Sequence, residues 1–242
     1  MGVINPMSKW KKKRFWKVVS IKPIDGLDGY QISLDDKILN TPSKNPFVLP
    51  TSEMASLVAS EWQSINNEIK PQEMPYTRFV NSSIDKIKPQ LKDIRKLLLE
   101  YGDCDLICYR ADSPQALISR QELAWDGAIE WAEKELNVIL KVFKGVVYCP
   151  QPTKSILELE KHVFELSIFQ LCALHELVTI SGSLILSLAV IKEFLCERTA
   201  WEASQVEEKW QVDHWGSDMD AQKATDEKRN SFYQAVQFFK VS

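Results

Sequence analysis

Residues 47–51 read Phe-Val-Leu-Pro-Thr, and here the sequence changes from a strand pattern to a helix pattern. Before this point, residues 15–21 are rich in β-branched and aromatic side chains and residues 30–34 alternate between apolar and polar, which is typical of strands. After it, Thr51 is a good helix N-cap, and apolar side chains recur at helical spacing over residues 54–65. The pattern predicts a small antiparallel sheet covered by one helix.

The rest of the chain is predicted to be helical almost throughout. Pro89 can occupy the first turn of a helix that Gly102 closes, and residues 112–114, Asp-Ser-Pro, are predicted to supply a cap and a first-turn proline for the next helix. Residues 146–149 could form a short extended segment. Further helices are predicted over 154–165, 168–179, 183–195, 199–214 and 218–239.

These patterns predict an α+β fold. The small N-terminal β-rich domain, packed with a helix, is predicted to span residues 1–88, and a larger all-helical C-terminal domain residues 89–242. The most apolar run, residues 177–191, has 15 uncharged residues and predicts a core helix, since a bilayer-spanning helix needs about 20. We therefore expect no membrane insertion.

The composition is that of an ordinary globular protein. With 45% hydrophobic and 26% charged residues and a formal charge of −3, the chain has no reason to be disordered or to seek nucleic acid as a whole. Five cysteines, an odd number, without a secretory signal indicate a reducing compartment. We expect the bacterial cytoplasm, or the mitochondrial matrix if the chain is a processed eukaryotic form.

The candidate metal and catalytic motifs are weak. Cys104 and Cys108 could share a helical face, but no second pair of ligands accompanies them, so buried thiols are the better interpretation. His175 and Glu176 lack the second histidine of a zinc-protease signature, because position 179 is Thr179. Nucleophile elbows and phosphate-binding glycine loops are also missing from the sequence. We predict no catalytic residue, no metal, no cofactor and no small-molecule substrate; an unrecognised hydrolase would need a convergent pocket of titratable groups.

Charge is unevenly distributed along the chain. Residues 9–22 carry seven basic and no acidic side chains: Lys9, Lys11, Lys12, Lys13, Arg14, Lys17 and Lys22. This stretch most resembles the solvated start of a strand, and the alternative is a nucleic-acid-binding module with salt-sensitive affinity. Residues 197–228 carry nine acidic side chains against four basic ones, so the C-terminal region is locally negative.

Within the acidic region, large aromatic rings lie beside carboxylates. Glu207 and Glu208 are followed by Trp210, Gln211 and Trp215 within two helical turns. Such a patch can anchor a protein partner, although a solvated helical face and core packing of the tryptophans are open alternatives.

Trp62 falls on the buried face of its predicted helix, which indicates structural packing. A charged residue at this position should then remove activity chiefly by unfolding the small domain.

Three blocks of sequence are too particular to be generic packing. They are Glu61-Trp62-Gln63 with Met74-Pro75-Tyr76-Thr77-Arg78-Phe79-Val80-Asn81 and Ile84-Asp85; Asp105-Leu106-Ile107-Cys108-Tyr109-Arg110-Ala111; and Glu207-Glu208-Lys209-Trp210-Gln211-Val212-Asp213-His214-Trp215-Gly216. With landmarks that include residues 119–121 and 125–126, these blocks resemble the F1-ATPase assembly chaperones that bind the α subunit. The resemblance runs in order from about residue 14 to 239. It departs at Asp36 and in residues 192–194, where the family usually has glycine.

The resemblance implies both a fold and a function. It implies the same α+β domain followed by a helical domain, and binding of the free F1 α subunit so that its β-contacting surface is shielded until the hexamer assembles. It carries the partner-binding role to Glu207, Glu208, Gln211, Trp215 and Asp218. We expect Glu207→Lys to leave the fold intact and to weaken capture, because we expect Glu207 to be an exposed rim charge.

Overall fold

The computed structural model describes residues 13–26, 28–216 and 218–242. Contacts between Cα atoms divide the chain into two compact units, with the division between Asn81 and Ser82. The α+β class is confirmed, since strands dominate the start of the first unit and helices the second. The domain boundary at residue 88 stays a prediction.

The first unit begins with an antiparallel sheet. Its strands are β1 (Val19–Pro23), β2 (Tyr30–Leu34), β3 (Lys37–Ile38) and β4 (Val48–Leu49). β2 pairs along its whole length with β1, and also with β3 and β4. The turn after β2 places Asp35 at φ 52°, where its carboxylate accepts from the backbone N–H groups of Lys17 and Val18 at 3.0 and 2.9 Å. These two hydrogen bonds lower the pKa of Asp35.

The helix that follows the sheet begins where the sequence predicted. α1 (Ser52–Ser64) has Thr51 as its N-cap, and the Thr51 hydroxyl accepts from the Met54 N–H. α1 contacts β1, β2 and β4. Met54 and Val58 of α1 are fully buried, as are Ile32 and Leu49 of the sheet. The prediction of a sheet covered by one helix is therefore confirmed.

Glu61 and Trp62, near the end of α1, both contribute to the packing of the first unit. The Glu61 carboxylate accepts from the Tyr76 and Thr77 N–H groups at 2.6 and 2.7 Å and from the Thr77 hydroxyl at 2.7 Å, so it caps the first turn of α2 (Pro75–Ser82). Burial raises the pKa of Glu61, and these hydrogen bonds partly offset that. Trp62 is partly buried, 5.2 Å from the Trp16 ring between centroids.

The second unit is built mainly of helices. After a π-helical turn (Ser83–Ile87) they are α3 (Leu91–Asp103), α4 (Gln115–Leu136), α5 (Thr153–Phe164), α6 (Ile168–Ser181), α7 (Leu184–Ile191), α8 (Glu197–Ser204), α9 (Val206–Trp215) and α10 (Met219–Lys240). Two short strands, β5 (Tyr109–Arg110) and β6 (Phe143–Lys144), pair in parallel. The unit is thus mostly, though not entirely, helical.

The apolar run at residues 177–191 forms parts of two helices. Gly182, at φ 72°, ends α6, and Ser183 caps α7 through a hydrogen bond from Leu186 N–H to its hydroxyl. α6 packs against α3, α7 and α10, and α7 is buried along almost its whole length. In the described residues, no helix is both long and apolar enough to span a membrane.

Several predicted helix boundaries were wrong. Pro114 is itself the N-cap of α4, with extended backbone and no capping side chain, so neither Asp112 nor a first-turn proline begins that helix. Gly102 lies inside α3, where a Cβ atom would come within 2.8 Å of Leu159; glycine there permits close packing on α5. The predicted helix 199–214 is two helices that meet at Gln205, and close to this break the Ala203 carbonyl accepts from the Trp125 indole at 2.7 Å.

Other local predictions also differ from the structure. The sequence did not indicate the strand at Phe143–Lys144; residues 146–149, predicted as a short extended segment, lie outside the helices and strands. Cys104 ends α3 and is exposed whereas Cys108 is buried, so the two thiols do not share a helical face. Glu193, in the segment that lacks glycine, nevertheless adopts φ 61°, a backbone conformation that normally favours glycine.

Candidate functional site

The block at residues 105–111 holds the scaffold of the site together. Asp105 is fully buried, and its carboxylate accepts from the N–H groups of Ile107 and Ile185 at 3.2 and 2.9 Å. The Leu106 N–H donates to the Gly182 carbonyl at 3.2 Å. Burial raises the pKa of Asp105 to about 6. This block therefore connects the end of α3 to the turn between α6 and α7.

Arg110 joins the same block to α4. Its side chain is only 6% exposed and lies over the Trp125 ring at 5.1 Å. The guanidinium donates to the Ile107 carbonyl at 3.0 Å and to the Asp126 carboxylate at 2.9 Å. The block at residues 105–111 and the landmark at residues 125–126 are separate in sequence but form one cluster in space. The charges of Arg110 and Asp126 balance each other within it.

Gln121 connects the scaffold to the acidic segment. Its side chain is fully buried, accepts from the Ala111 N–H at 2.8 Å, and donates to the Glu207 carboxylate at 2.7 Å. The two hydrogen bonds, one accepted by the Gln121 amide oxygen and one donated by its nitrogen, therefore fix the orientation of this amide. Glu207 lies in the first turn of α9, and this hydrogen bond connects that turn to α4 and to the end of β5.

Glu207 is not the exposed rim charge that we expected. It is partly buried, and burial, followed by the neighbouring charge of Glu208, raises its pKa. Charge reversal would replace the acceptor of Gln121 with a cationic donor, so Glu207→Lys would disturb packing as well as partner contacts. The premise of an exposed side chain was wrong, whereas the binding role of Glu207 stays a prediction.

The other predicted partner-binding residues are all exposed. Glu208 and Gln211 face solvent, and Trp215 is 79% exposed, an unusual state for so large an apolar ring. Asp218 is exposed too, but its carboxylate accepts from the Ala221 N–H at 2.7 Å as the N-cap of α10. Asp218 thus has a structural role whether or not it also contacts a partner.

Trp210 is held between charged and aromatic neighbours. The Arg120 guanidinium lies 4.9 Å from its ring centroid and pairs with Asp213 at 2.6 Å. The His214 ring lies 4.1 Å from the Trp210 ring, and its Nδ1 is 2.8 Å from the Trp210 carbonyl oxygen. Trp210 therefore packs α9 onto α4, while Trp215 extends beyond this packed region.

A groove with a volume of about 1160 Å³ runs along these residues. One wall is the face of α9 that carries Glu207, Gln211 and Trp215; the other includes residues 109–114 and 144–147. Val146 and Val147 are 94% and 75% exposed, so both walls present apolar side chains to solvent. We call this cavity the α9 groove.

Two features of the groove were not evident from the sequence: the contribution of residues 144–147 to its lining and the support from Gln121. Val146 and Val147 were predicted only as part of an extended segment, and two adjacent valines give no sign in the sequence that they are exposed. Gln121 belonged to a landmark, but only its contacts show that it positions Glu207. No pattern in the sequence could have paired residues so far apart.

The alternative functions gain little from the structure. Arg14, in the basic stretch, donates to the carbonyls of Trp16 and Ile65 at 3.0 and 2.6 Å, so it is a structural residue. Lys13, Lys17 and Lys22 are exposed, whereas Lys9, Lys11 and Lys12 lie outside the described residues. Over the part of the chain that the structure describes, no group of three or more His, Cys, Asp or Glu side chains could hold a metal.

Known proteins resemble this chain in both sequence and structure. The family model described as "ATP12 chaperone protein" matches residues 13–133. The chain is 25% identical over 235 residues to the mitochondrial protein atp12 of Schizosaccharomyces pombe, covering 92% of this chain and 80% of that protein. The crystal structure of Atp12 from Paracoccus denitrificans superposes with a TM-score of 0.91 at 39% identity, covering 96% and 99% of the two chains. A structure from Agrobacterium tumefaciens gives the same TM-score at 31% identity, over 95% and 85%.

Proposed function

The chain belongs to the ATP12 chaperone family, whose members assist F1-ATPase assembly, and from this premise we propose that it binds the free α subunit. In this proposal it shields the β-contacting surface of the α subunit until the hexamer forms. The observation that carries the proposal is the α9 groove, where Trp215 on one wall and Val146 and Val147 on the other are largely exposed. Apolar patches of this kind typically mark protein interaction sites.

The composition of the groove suits a temporary contact. Its apolar side chains can cover an apolar surface of the partner, and its exposed polar residues, which include Asp112 and Gln211, keep the free chain compatible with water. An obligate interface would be larger and more uniformly apolar, and would not exchange readily. A moderate, partly polar contact is what a chaperone needs if a later subunit is to displace it.

We further propose that the chain acts by binding alone, without catalysis. Two carboxyl groups with raised pKa values are committed to the fold: Asp105 holds the turn between α6 and α7, and Glu61 caps α2. For its location, the bacterial cytoplasm and the mitochondrial matrix both fit the proposal, because the partner would be a newly made F1 subunit in either place.

Co-purification tests this proposal. A tagged chain expressed in its own cells should retain the α subunit, identified by mass spectrometry, and Trp215→Ala should lose most of it while keeping the same melting temperature. Phe194→Ala provides a matched control, since it truncates another partly exposed aromatic residue away from the groove. If wild type and Trp215→Ala recover the α subunit equally, the groove is not the binding site. If wild type recovers no α subunit, the proposed function is refuted.

A further inference from the structure

The α9 groove contains a carboxylate without an opposite charge. One oxygen of Glu207 accepts from Gln121, and among the described residues no lysine or arginine forms an ion pair with Glu207. The two arginines of this site already have partners, since Arg110 pairs with Asp126 and Arg120 with Asp213. A partly buried, unpaired carboxylate is costly in the free chain, so a cation from a partner would be favoured there.

The face of α9 that lines the groove carries three regularly spaced side chains, those of Glu207, Gln211 and Trp215. They are four residues apart, so they form one stripe on the helix, and all three line the groove. Eight residues of helix rise about 12 Å, so the backbone positions of Glu207 and Trp215 lie about that far apart along the helix axis. In an extended chain, residues i and i+4 point to the same side and lie about 13 Å apart.

We infer that the α9 groove binds an extended segment of the partner in which an arginine and a large apolar residue are four positions apart. The arginine pairs with Glu207, and the apolar side chain packs on Trp215. Val146 and Val147, which line the same groove, add apolar surface for the segment. This inference rests on the proposed function and specifies what part of the partner the groove recognises.

Charge and hydration favour an arginine over the other possible occupants. A guanidinium is weakly hydrated and donates several N–H groups, so it suits a partly desolvated carboxylate beside aromatic rings better than an ammonium does. Glu208, which is exposed beside Glu207 in the first turn of α9, adds a second negative charge there, and the two carboxylates favour a basic partner segment and would repel the phosphates of a nucleic acid.

Designed peptides test the spacing with the full-length chain. Twelve-residue peptides of glycine and serine carry one arginine and one leucine at separations of two, three, four or eight, and fluorescence anisotropy measures their dissociation constants. Separation four should bind about tenfold tighter than separation three, which places the two side chains on opposite sides of a strand. Equal affinity at all separations, or a preference for eight, would overturn the inference.

A matched pair of variants tests the charge. Glu207→Gln keeps an acceptor for Gln121 and removes the charge, and Glu122→Gln removes one charge from the exposed face of α4, outside the groove. For the separation-four peptide, Glu207→Gln should weaken binding about tenfold and flatten its salt dependence, whereas Glu122→Gln should change it less than twofold. Replacing the arginine of the peptide by neutral citrulline should weaken its binding to wild type by the same factor. The same replacement should leave its binding to Glu207→Gln unchanged.

The inference and the proposed function can fail separately. If wild type captures the α subunit and Glu207→Gln captures it equally well, the arginine subsite is overturned and the chaperone role stands. If the peptides bind with the predicted spacing and charge dependence but the α subunit is not captured, the groove recognises this pattern in another protein and the proposed function falls.

Discussion

Glu61 in the first unit and Glu207 in the second are both partly buried carboxylates on helices that also carry a tryptophan, but their surroundings differ. Glu61 accepts three hydrogen bonds from Tyr76 and Thr77, whereas Glu207 accepts one, from Gln121. The neighbouring Trp62 packs on Trp16, whereas Trp215 is exposed. Similar residue types thus complete the fold in one region and remain available to a partner in the other. Hydrogen-bond satisfaction and exposure, and not residue identity, distinguish the two.

The comparison predicts the largest effect at Glu61. Glu61→Ala leaves the Tyr76 and Thr77 N–H groups without their acceptor at the first turn of α2, so the free energy of unfolding should fall by about 3 kcal/mol. Urea denaturation followed by circular dichroism measures this. Gln63→Ala, an exposed change on the same helix, should cost less than about 0.5 kcal/mol. A Glu61 variant as stable as the Gln63 variant would contradict the structural role of Glu61.

The two tryptophans should show opposite effects. Trp215→Ala should weaken capture of the α subunit by about 2 kcal/mol, roughly 30-fold, with an unchanged unfolding midpoint. Trp62→Ala should lower the stability of the first unit, because it leaves a gap beside Trp16. Calorimetric titration of the α subunit, paired with thermal melts of both variants, checks this. A Trp215 variant that melts early would show that its ring packs within the chain.

Glu207→Gln should affect binding more than stability. The variant keeps an acceptor for Gln121, so we expect stability to change by less than about 1 kcal/mol. Loss of the charge should weaken capture of the α subunit by about 1.4 kcal/mol, which is tenfold. Double-mutant cycles with Trp215→Ala then show whether the two positions act independently. A loss of stability as large as that of Glu61→Ala would show that Glu207, like Glu61, has mainly a structural role.

The pH dependence should be the smallest effect and should separate binding from folding. The pKa values of Glu61 and Glu207 are both raised in the folded chain. Each group therefore holds its proton more tightly when folded, and its contribution to folding stability declines as pH rises from the ordinary value near 4.5 through the raised value. The affinity for a basic partner segment should change in the opposite direction. It should rise with pH at Glu207, because only the carboxylate pairs with a cation.

Capture measured by anisotropy should therefore weaken several-fold as pH falls through the raised pKa of Glu207. The same titration on Glu207→Gln should be flat in this range. A wild-type affinity that is independent of pH would contradict the pairing of Glu207 with a basic group.

The fold class was largely predictable because its signals are local. The change of period at residues 47–51 and the capping chemistry of Thr51 depend on near neighbours, and both are confirmed. The errors occurred where a distant residue decides the local geometry. The Trp125 indole donates to the Ala203 carbonyl close to the break between α8 and α9, and a Cβ atom on Gly102 would come within 2.8 Å of Leu159 on α5.

The candidate site was predictable only in part. The acidic and aromatic composition of residues 207–218 is visible in the sequence, and the exposure of Trp215 agrees with a surface role. The partial burial of Glu207 was not visible, because it depends on Gln121, which lies on another helix. The apolar loop at Val146 and Val147 lines the same groove only through the tertiary fold.

The most direct test of the account is the aggregation of purified α subunit after dilution from denaturant, followed by light scattering. An equimolar amount of this chain should suppress the scattering, and later addition of the β subunit should release the chaperone. Trp215→Ala should suppress it much less at the same concentration. If the α subunit aggregates equally with and without the wild-type chain, the account is contradicted.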